Sequence, residues 1–276
     1  MQSVLYEARK QRSFKEAWVG LIIAGILMVV FLSQTLGLRA EDRAMNWYLV
    51  QQDIYTYGAT LTAFLIVIGL PRLICYERER GTDSLICASN KGRFITWKAK
   101  VLYCLAYCAF VVFSIGVFSL LVHCGSFAFE GARDPVSRCV YFSSEALPPM
   151  SNIEYCILQY VFLFLGSLYF AGFILIVAAL TKRTVATVII GAIVYFTCMI
   201  YEYAHSMFEG VINVVIAFAF RFGFGGYLFQ ESYSSPWDIG MPGAWTNVWK
   251  STIYEIIVII AEFVVLWLLW RRKDRA

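Results

Sequence analysis

The sequence predicts an all-α, polytopic membrane protein with six transmembrane helices, and three observations carry that prediction. Of its 276 residues, 60% are hydrophobic, 17% aromatic and only 15% charged, with a mean hydropathy of +0.66, well outside the range of soluble domains. The apolar residues gather into six stretches close to the roughly 20 residues that a helix needs to cross a hydrocarbon core about 30 Å thick. None of these alternates with the two-residue period of a barrel strand, and lipid leaves the backbone only helices or closed barrels. The chain is therefore read as one transmembrane domain, 1–276.

Residues 1–17 come first. Val4, Leu5, Ala8 and Phe14 alternate there with Glu7, Arg9, Lys10, Arg12, Lys15 and Glu16, the pattern of an amphipathic helix lying on a membrane surface. The spans follow at Trp18 to Leu36, Gly58 to Cys75, Val101 to His123, Tyr155 to Leu180, Val185 to Tyr201 and Thr252 to Trp270. The first is too long for a signal-peptide core and lacks a small-residue cleavage site after it, so it is read as retained. Gly37 to Tyr57 reads as a short polar loop, and Cys124 to Glu154 as a longer one with Asp134-Pro135 and Pro148-Pro149 as turn signals. Thr181-Lys-Arg-Thr184 is so short that spans four and five must be antiparallel neighbours. Within 206–250, Val211 to Phe220 is apolar but too short to cross, which suggests a re-entrant external segment between spans five and six, followed by a turn-rich cap from Tyr233 to Lys250.

Basic residues set the orientation. Four lie in the N-terminal tail, seven between Arg72 and Lys100, two in the Thr181 to Thr184 turn and four in the C-terminal tail, leaving six of the 23 for the other side. The positive-inside rule then places both termini in the cytoplasm. The net charge of +4 is topological rather than a sign of nucleic-acid binding. Eight cysteines follow no zinc or redox spacing. Cys75, Cys104, Cys108 and Cys198 read as small apolar residues in spans, whereas Cys124, Cys139 and Cys156 fall where a disulfide is chemically permissible.

No catalytic constellation is present, and the chain is not read as an enzyme. It has no Gly-x-x-x-x-Gly-Lys-Ser/Thr phosphate loop, no Gly-x-Ser-x-Gly elbow and no His-Glu-x-x-His helix, and His123 and His205 are its only histidines. No metal or bound cofactor is expected. Two acids stand inside the last span: Glu262 near its middle, and Glu255 on the same helical face. A charge at that depth costs about 2.5–3.5 kcal/mol on insertion scales, so the pair marks either a polar substrate path or proton relay, or a packing contact.

The most informative segment is 76–100. Gly81 interrupts the end of span two, Thr82 can cap a short helix beginning at Asp83, and Leu85, Ile86 and Ala88 give that helix an apolar face. Lys91, Gly92 and Arg93 then separate it from span three. A helix this short needs a partner surface.

The order Glu77, Glu79, Gly81, Thr82, Leu85, Ser89, Arg93, Ile95, Lys100 resembles the cytoplasmic loop of bacterial permeases of the second exporter type of ATP-binding-cassette transporter. In that family a Glu-rich turn leads to Gly-Thr, leucines and Ser-x-Pro-x-Ser-Arg, and a lysine seven residues on opens span three. Asn90 stands where the family usually has proline, and Gly92 where it usually has serine. The resemblance implies a permease subunit of the bacterial cytoplasmic membrane, exporting an amphipathic cargo such as a peptide, lipid or drug. It implies a coupling helix in the 76–100 loop that docks, through Glu77, Glu79, Gly81, Thr82, Leu85, Ile86, Arg93 and Lys100, on a separate cytoplasmic ATPase holding ATP and magnesium. It further implies a second permease copy, identical or related, and a connecting helix at 1–17 beside the ATPase. The alternatives are a proton-linked secondary transporter or channel centred on Glu262, for which inverted repeats and interrupted spans are expected and not found in the sequence, and a membrane sensor or immunity subunit without transport.

Overall fold

A computed structural model of the chain describes residues 7, 9–10, 15–36, 43–82, 90–127, 129–136, 150–204 and 244–272. Helices α1 (Lys15–Leu36) and α2 (Arg43–Asp53) are followed by a π-helical turn (Ile54–Gly58). Then come α3 (Ala59–Gly69), α4 (Pro71–Glu79), α5 (Asn90–Phe127), α6 (Asn152–Thr181), α7 (Thr184–Ala204) and α8 (Ala244–Arg272). No strand occurs among the described residues. Three stretches are long and apolar enough to cross a membrane, Ala59–Glu79, Phe94–Val122 and Asn152–Thr181, and Trp18–Leu27 and Thr184–Thr197 are shorter apolar helices. The architecture is that of an all-α membrane protein.

Helix α6 is the axis of the molecule and packs on α3, α4, α5, α7 and α8. Its buried Gly166, Ser167, Ala171, Gly172 and Ala178 explain why, since small residues let helix backbones approach closely where lipid supplies no hydrophobic drive. The main core joins Ile66, Leu70 and Leu73 to Cys104 and Cys108, to Ile174 and Leu175, and to Leu266 and Trp270. Phe110, Phe113 and Leu121 on α5, Ile189, Ile193 and Phe196 on α7, and Ile257 and Ile260 on α8 are exposed. Such apolar faces suit acyl chains.

Several sequence expectations are corrected. The stretch read as a polar loop from Gly37 to Tyr57 contains α2; its Trp47 and Val50, with Ile54 at the start of the π-helical turn, recur at helical spacing and are buried with Cys156 and Leu163 of α6. Cys156 is accordingly buried inside α6 and forms no disulfide, and the same holds for Cys75, Cys104 and Cys108 in their helices. Span two is interrupted after all: α3 ends at Gly69 and α4 begins at Pro71, because proline has no N–H to give and its ring collides with the carbonyl four residues earlier. The Tyr107 hydroxyl donates to the Leu65 carbonyl at 2.8 Å beside this break, and a methyl group on Gly69 would run into that hydroxyl. Asn90 opens α5, so Lys91, Gly92 and Arg93 belong to its first turn rather than to a separator. Likewise 244–250, placed in the external cap, already belongs to α8. The stretches read as a re-entrant segment, as the rest of the cap and as a short helix with Leu85 and Ile86 lie outside the described residues, as does Cys139.

At the end of the molecule away from the Glu77 region, neutral groups make a clasp. The Trp47 indole donates to the Glu130 carbonyl at 2.8 Å, and the Asn152 amide donates to the Gly131 carbonyl at 3.0 Å. Gln51 donates to Asn152 Oδ1 at 3.4 Å, and Gln159 to the Gln51 carbonyl at 3.4 Å. Gly131, at φ +76°, provides the left-handed turn that brings this segment over Trp47. Residues 129–136 are further held by an isolated bridge between Pro135 and Ser151.

Candidate functional site

The site forms where α4 ends. Gly81 has φ +69°, its N–H donates to the Arg78 carbonyl at 3.0 Å, and the Thr82 N–H donates to the Glu77 carbonyl at 2.9 Å. Those two bonds are the Schellman closure, in which a left-handed residue just past the helix satisfies its last carbonyls. The Thr82 hydroxyl also donates to the Glu77 carbonyl, at 3.2 Å. Gly81 and Thr82 therefore terminate α4 sharply and release the chain, exposed, into the 83–89 segment.

Glu77, on the last turns of α4, is only 5% exposed. Its Oε1 receives Lys10 Nζ at 2.9 Å and Lys100 Nζ at 3.0 Å. Lys10 also pairs with Glu7 at 2.9 Å, and its ammonium lies 5.2 Å from the centre of the Tyr76 ring. Lys100, 2% exposed, donates to the Leu73 carbonyl as well and faces the Trp270 ring at 5.5 Å. Two acids and two lysines thus balance in a nearly dry cluster that gathers the N-terminal segment, α4, α5 and α8. Burial works against the Lys10 charge, and the carboxylates of Glu77 and Glu7 outweigh it, raising the pKa above that of an ordinary lysine.

The next two residues of α4 grip the turn between α6 and α7. Arg78 Nη1 donates to the Ala179 carbonyl at 2.7 Å, and Glu79 Oε1 accepts the Thr184 N–H at 2.7 Å. A helix end presents unsatisfied carbonyls and partial negative charge, and a helix start presents unsatisfied N–H groups and partial positive charge. Adjacent residues of opposite sign meet both requirements. The turn itself runs through Lys182 at φ 60°, and Cys75 Sγ lies 3.6 Å from the Ala178 carbonyl.

Of the residues singled out in the sequence, Glu77 and Lys100 are brought together, from opposite sides of the loop, facing inward. Glu79, Gly81 and Thr82 stand at the exposed rim. Arg93 and Glu255 lie on α5 and α8, their side chains outside those described. Glu262 is elsewhere, half-buried on α8 with its carboxyl against Gly172 of α6. The sequence reading missed Arg78 and the inward role of Glu7 and Lys10, which it placed on the solvated face of an amphipathic helix. Their signal was only charge beside an apolar stretch, and pairing across distant segments does not show in spacing. Among the described residues no three His, Cys, Asp or Glu side chains converge as a metal site would require. Comparison with protein-family models, with curated proteins and with solved structures finds no match, so a functional reading rests on this geometry.

Proposed function

We propose that the chain is the membrane-spanning permease subunit of an ATP-binding-cassette exporter. It crosses the membrane six times with both termini in the cytoplasm, and segment 83–89 receives a separate ATPase. The observation that carries this reading is the double fixing of the segment's root. Lys100 of α5 and Glu77 of α4 hold its two ends together, while Arg78 and Glu79 fasten the same root to the α6–α7 turn. A displacement applied at 83–89 is therefore shared by α4, α5, α6 and α7 instead of being absorbed by a slack loop. In this reading Glu77 and Lys100 position the docking segment, and the exposed Glu79, Gly81 and Thr82 with Leu85 and Ile86 meet the ATPase. A second copy of the chain, or a related one, completes the pathway for an amphipathic cargo.

The test is affinity purification from native membranes, with mass spectrometry for a nucleotide-binding subunit. An ATPase is expected to co-purify with the parent chain and to be lost from Leu85→Glu and Ile86→Glu variants that still reach the membrane. Absence of any ATPase, or its undiminished recovery with both variants, overturns the proposal.

A further inference from the structure

Glu262 is the acid the ion cluster does not use. It lies on α8, which makes its most extensive contact with α6. Its Oε2 is buried and has no hydrogen-bond partner. A methyl group on Gly172 would collide with that oxygen, so the two backbones approach closely only because the acid and the glycine share the space. Among the described side chains of α7 no titratable group contributes to its surroundings. From α5 the nearby titratable group is the buried thiol of Cys104, one turn before Cys108, whose own Sγ lies 3.9 Å from the Ser167 carbonyl. Among the described residues no lysine, arginine or histidine contributes to its electrostatic surroundings. Its neighbours on α8, Ala261, Val264 and Val265, are exposed apolar residues.

A carboxylate in this place would hold its charge in a largely apolar contact, with no cation beside it among the described residues and no hydrogen-bond donor to Oε2. That costs far more than burying the neutral acid, whose penalty is the one imperfectly satisfied hydroxyl. The close approach of α6 and α8 at Gly172 favours the acid form.

We propose that Glu262 is a proton-binding site in the α5–α6–α8 core. Its bound proton permits α6 and α8 to close at Gly172, and its half-buried carboxyl is open, from the bilayer side, to hydrophobic carbodiimides. In that reaction the carboxylic proton passes to a carbodiimide nitrogen while the carboxyl oxygen bonds to the central carbon. The resulting O-acylisourea rearranges to a stable N-acylurea, with no other reactant consumed. Loss of the proton instead forces water or a cation in and separates the two helices. The inference does not depend on the chain's being a permease, since it concerns only the state of this acid in a membrane.

The protein, reconstituted in lipid vesicles, is treated with dicyclohexylcarbodiimide or with a water-soluble carbodiimide, and adducts are mapped by peptide mass spectrometry. Glu262 is expected to take the hydrophobic reagent and not the soluble one, with labelling falling about tenfold per pH unit above its titration point. Glu262→Gln, a neutral mimic of the acid, keeps the melting temperature and loses the adduct. Cys104→Ser keeps the adduct, which excludes a thiol product. Gly172→Ala is expected to push the carboxyl outward and speed labelling. Equal labelling by the soluble reagent, no adduct at Glu262, or a large loss of stability in Glu262→Gln each overturns the proposal, because each shows a hydrated, inaccessible or ion-paired carboxylate.

Discussion

The two ends of this molecule are joined by different chemistry. At the root of the 83–89 segment four charged side chains, Glu7, Lys10, Glu77 and Lys100, meet in a nearly dry cluster. At the opposite end Trp47, Gln51, Asn152 and Gln159 close the bundle with neutral amide and indole hydrogen bonds. Neutral hydrogen bonds are short-ranged and directional, so the clasp fixes one geometry and responds little to its surroundings. A buried ion cluster responds to pH and to any change in hydration, and removing one member leaves its counter-charge stranded. The difference teaches where this fold can be moved and where it is merely fastened.

The largest effect is expected at the charged end. Lys100→Met leaves Glu77 buried with Lys10 alone and should cost about 3–5 kcal/mol, read as a fall in the detergent-solubilised protein's melting temperature. Adding Glu77→Gln to Lys100→Met should recover part of the loss. If the double variant is as unstable as the sum of the singles, the two residues are independent and the contrast between the ends fails. At the neutral end Asn152→Ala removes one donor and one acceptor, and should cost about 1–3 kcal/mol with little dependence on salt or pH. A pronounced pH dependence there would erase the distinction.

The smallest effect sharpens the comparison through pH. Lys10 is charged in the folded protein to a higher pH than a free lysine, so its contribution is complete below the ordinary lysine value of about 10.4. It is lost as pH rises through the higher folded value. The stability difference between the parent chain and Lys10→Met should therefore be flat at neutral pH and shrink only on the strongly alkaline side. A difference that shrinks on acidification instead would mean that the carboxylates, not Lys10, govern the cluster in that range.

Helix positions were legible where hydropathy was high. The apolar runs of α3, α5, α6 and α7 stand out over any window, and their structured bounds differ from the reading mainly at the ends. Helix α2 was missed because Arg43, Asn46, Gln51 and Gln52 lower its mean hydropathy, although Trp47, Val50 and, just past its end, Ile54 already carried the spacing of a buried face. Pro71 was a visible breaker inside an apparently continuous span, and Gly81, read as interrupting the end of span two, stands at the left-handed turn that closes α4. The site was legible as a segment but not as a geometry. Charge in a sequence reads as surface, and only the fold shows that Glu77 and Lys100 neutralise each other inside, while Glu79 meets a helix start on a distant hairpin.

That last contact also sets a schedule for synthesis. Arg78 and Glu79 find their partners 101 and 105 residues further along the chain. At ribosomal rates of about 5–20 residues per second, the end of α4 waits roughly 5–20 seconds before α6 and α7 exist to receive it. During that interval the charges of Arg78 and Glu79 must be lodged among lipid headgroups and water, so the nascent protein passes through a stage in which α4 is inserted but not yet fastened to the α6–α7 turn. A ribosome stalled shortly before residue 179 would leave the bundle in that state, with the root of the 83–89 segment tied to α5 through Glu77 and Lys100 but not yet to the α6–α7 turn.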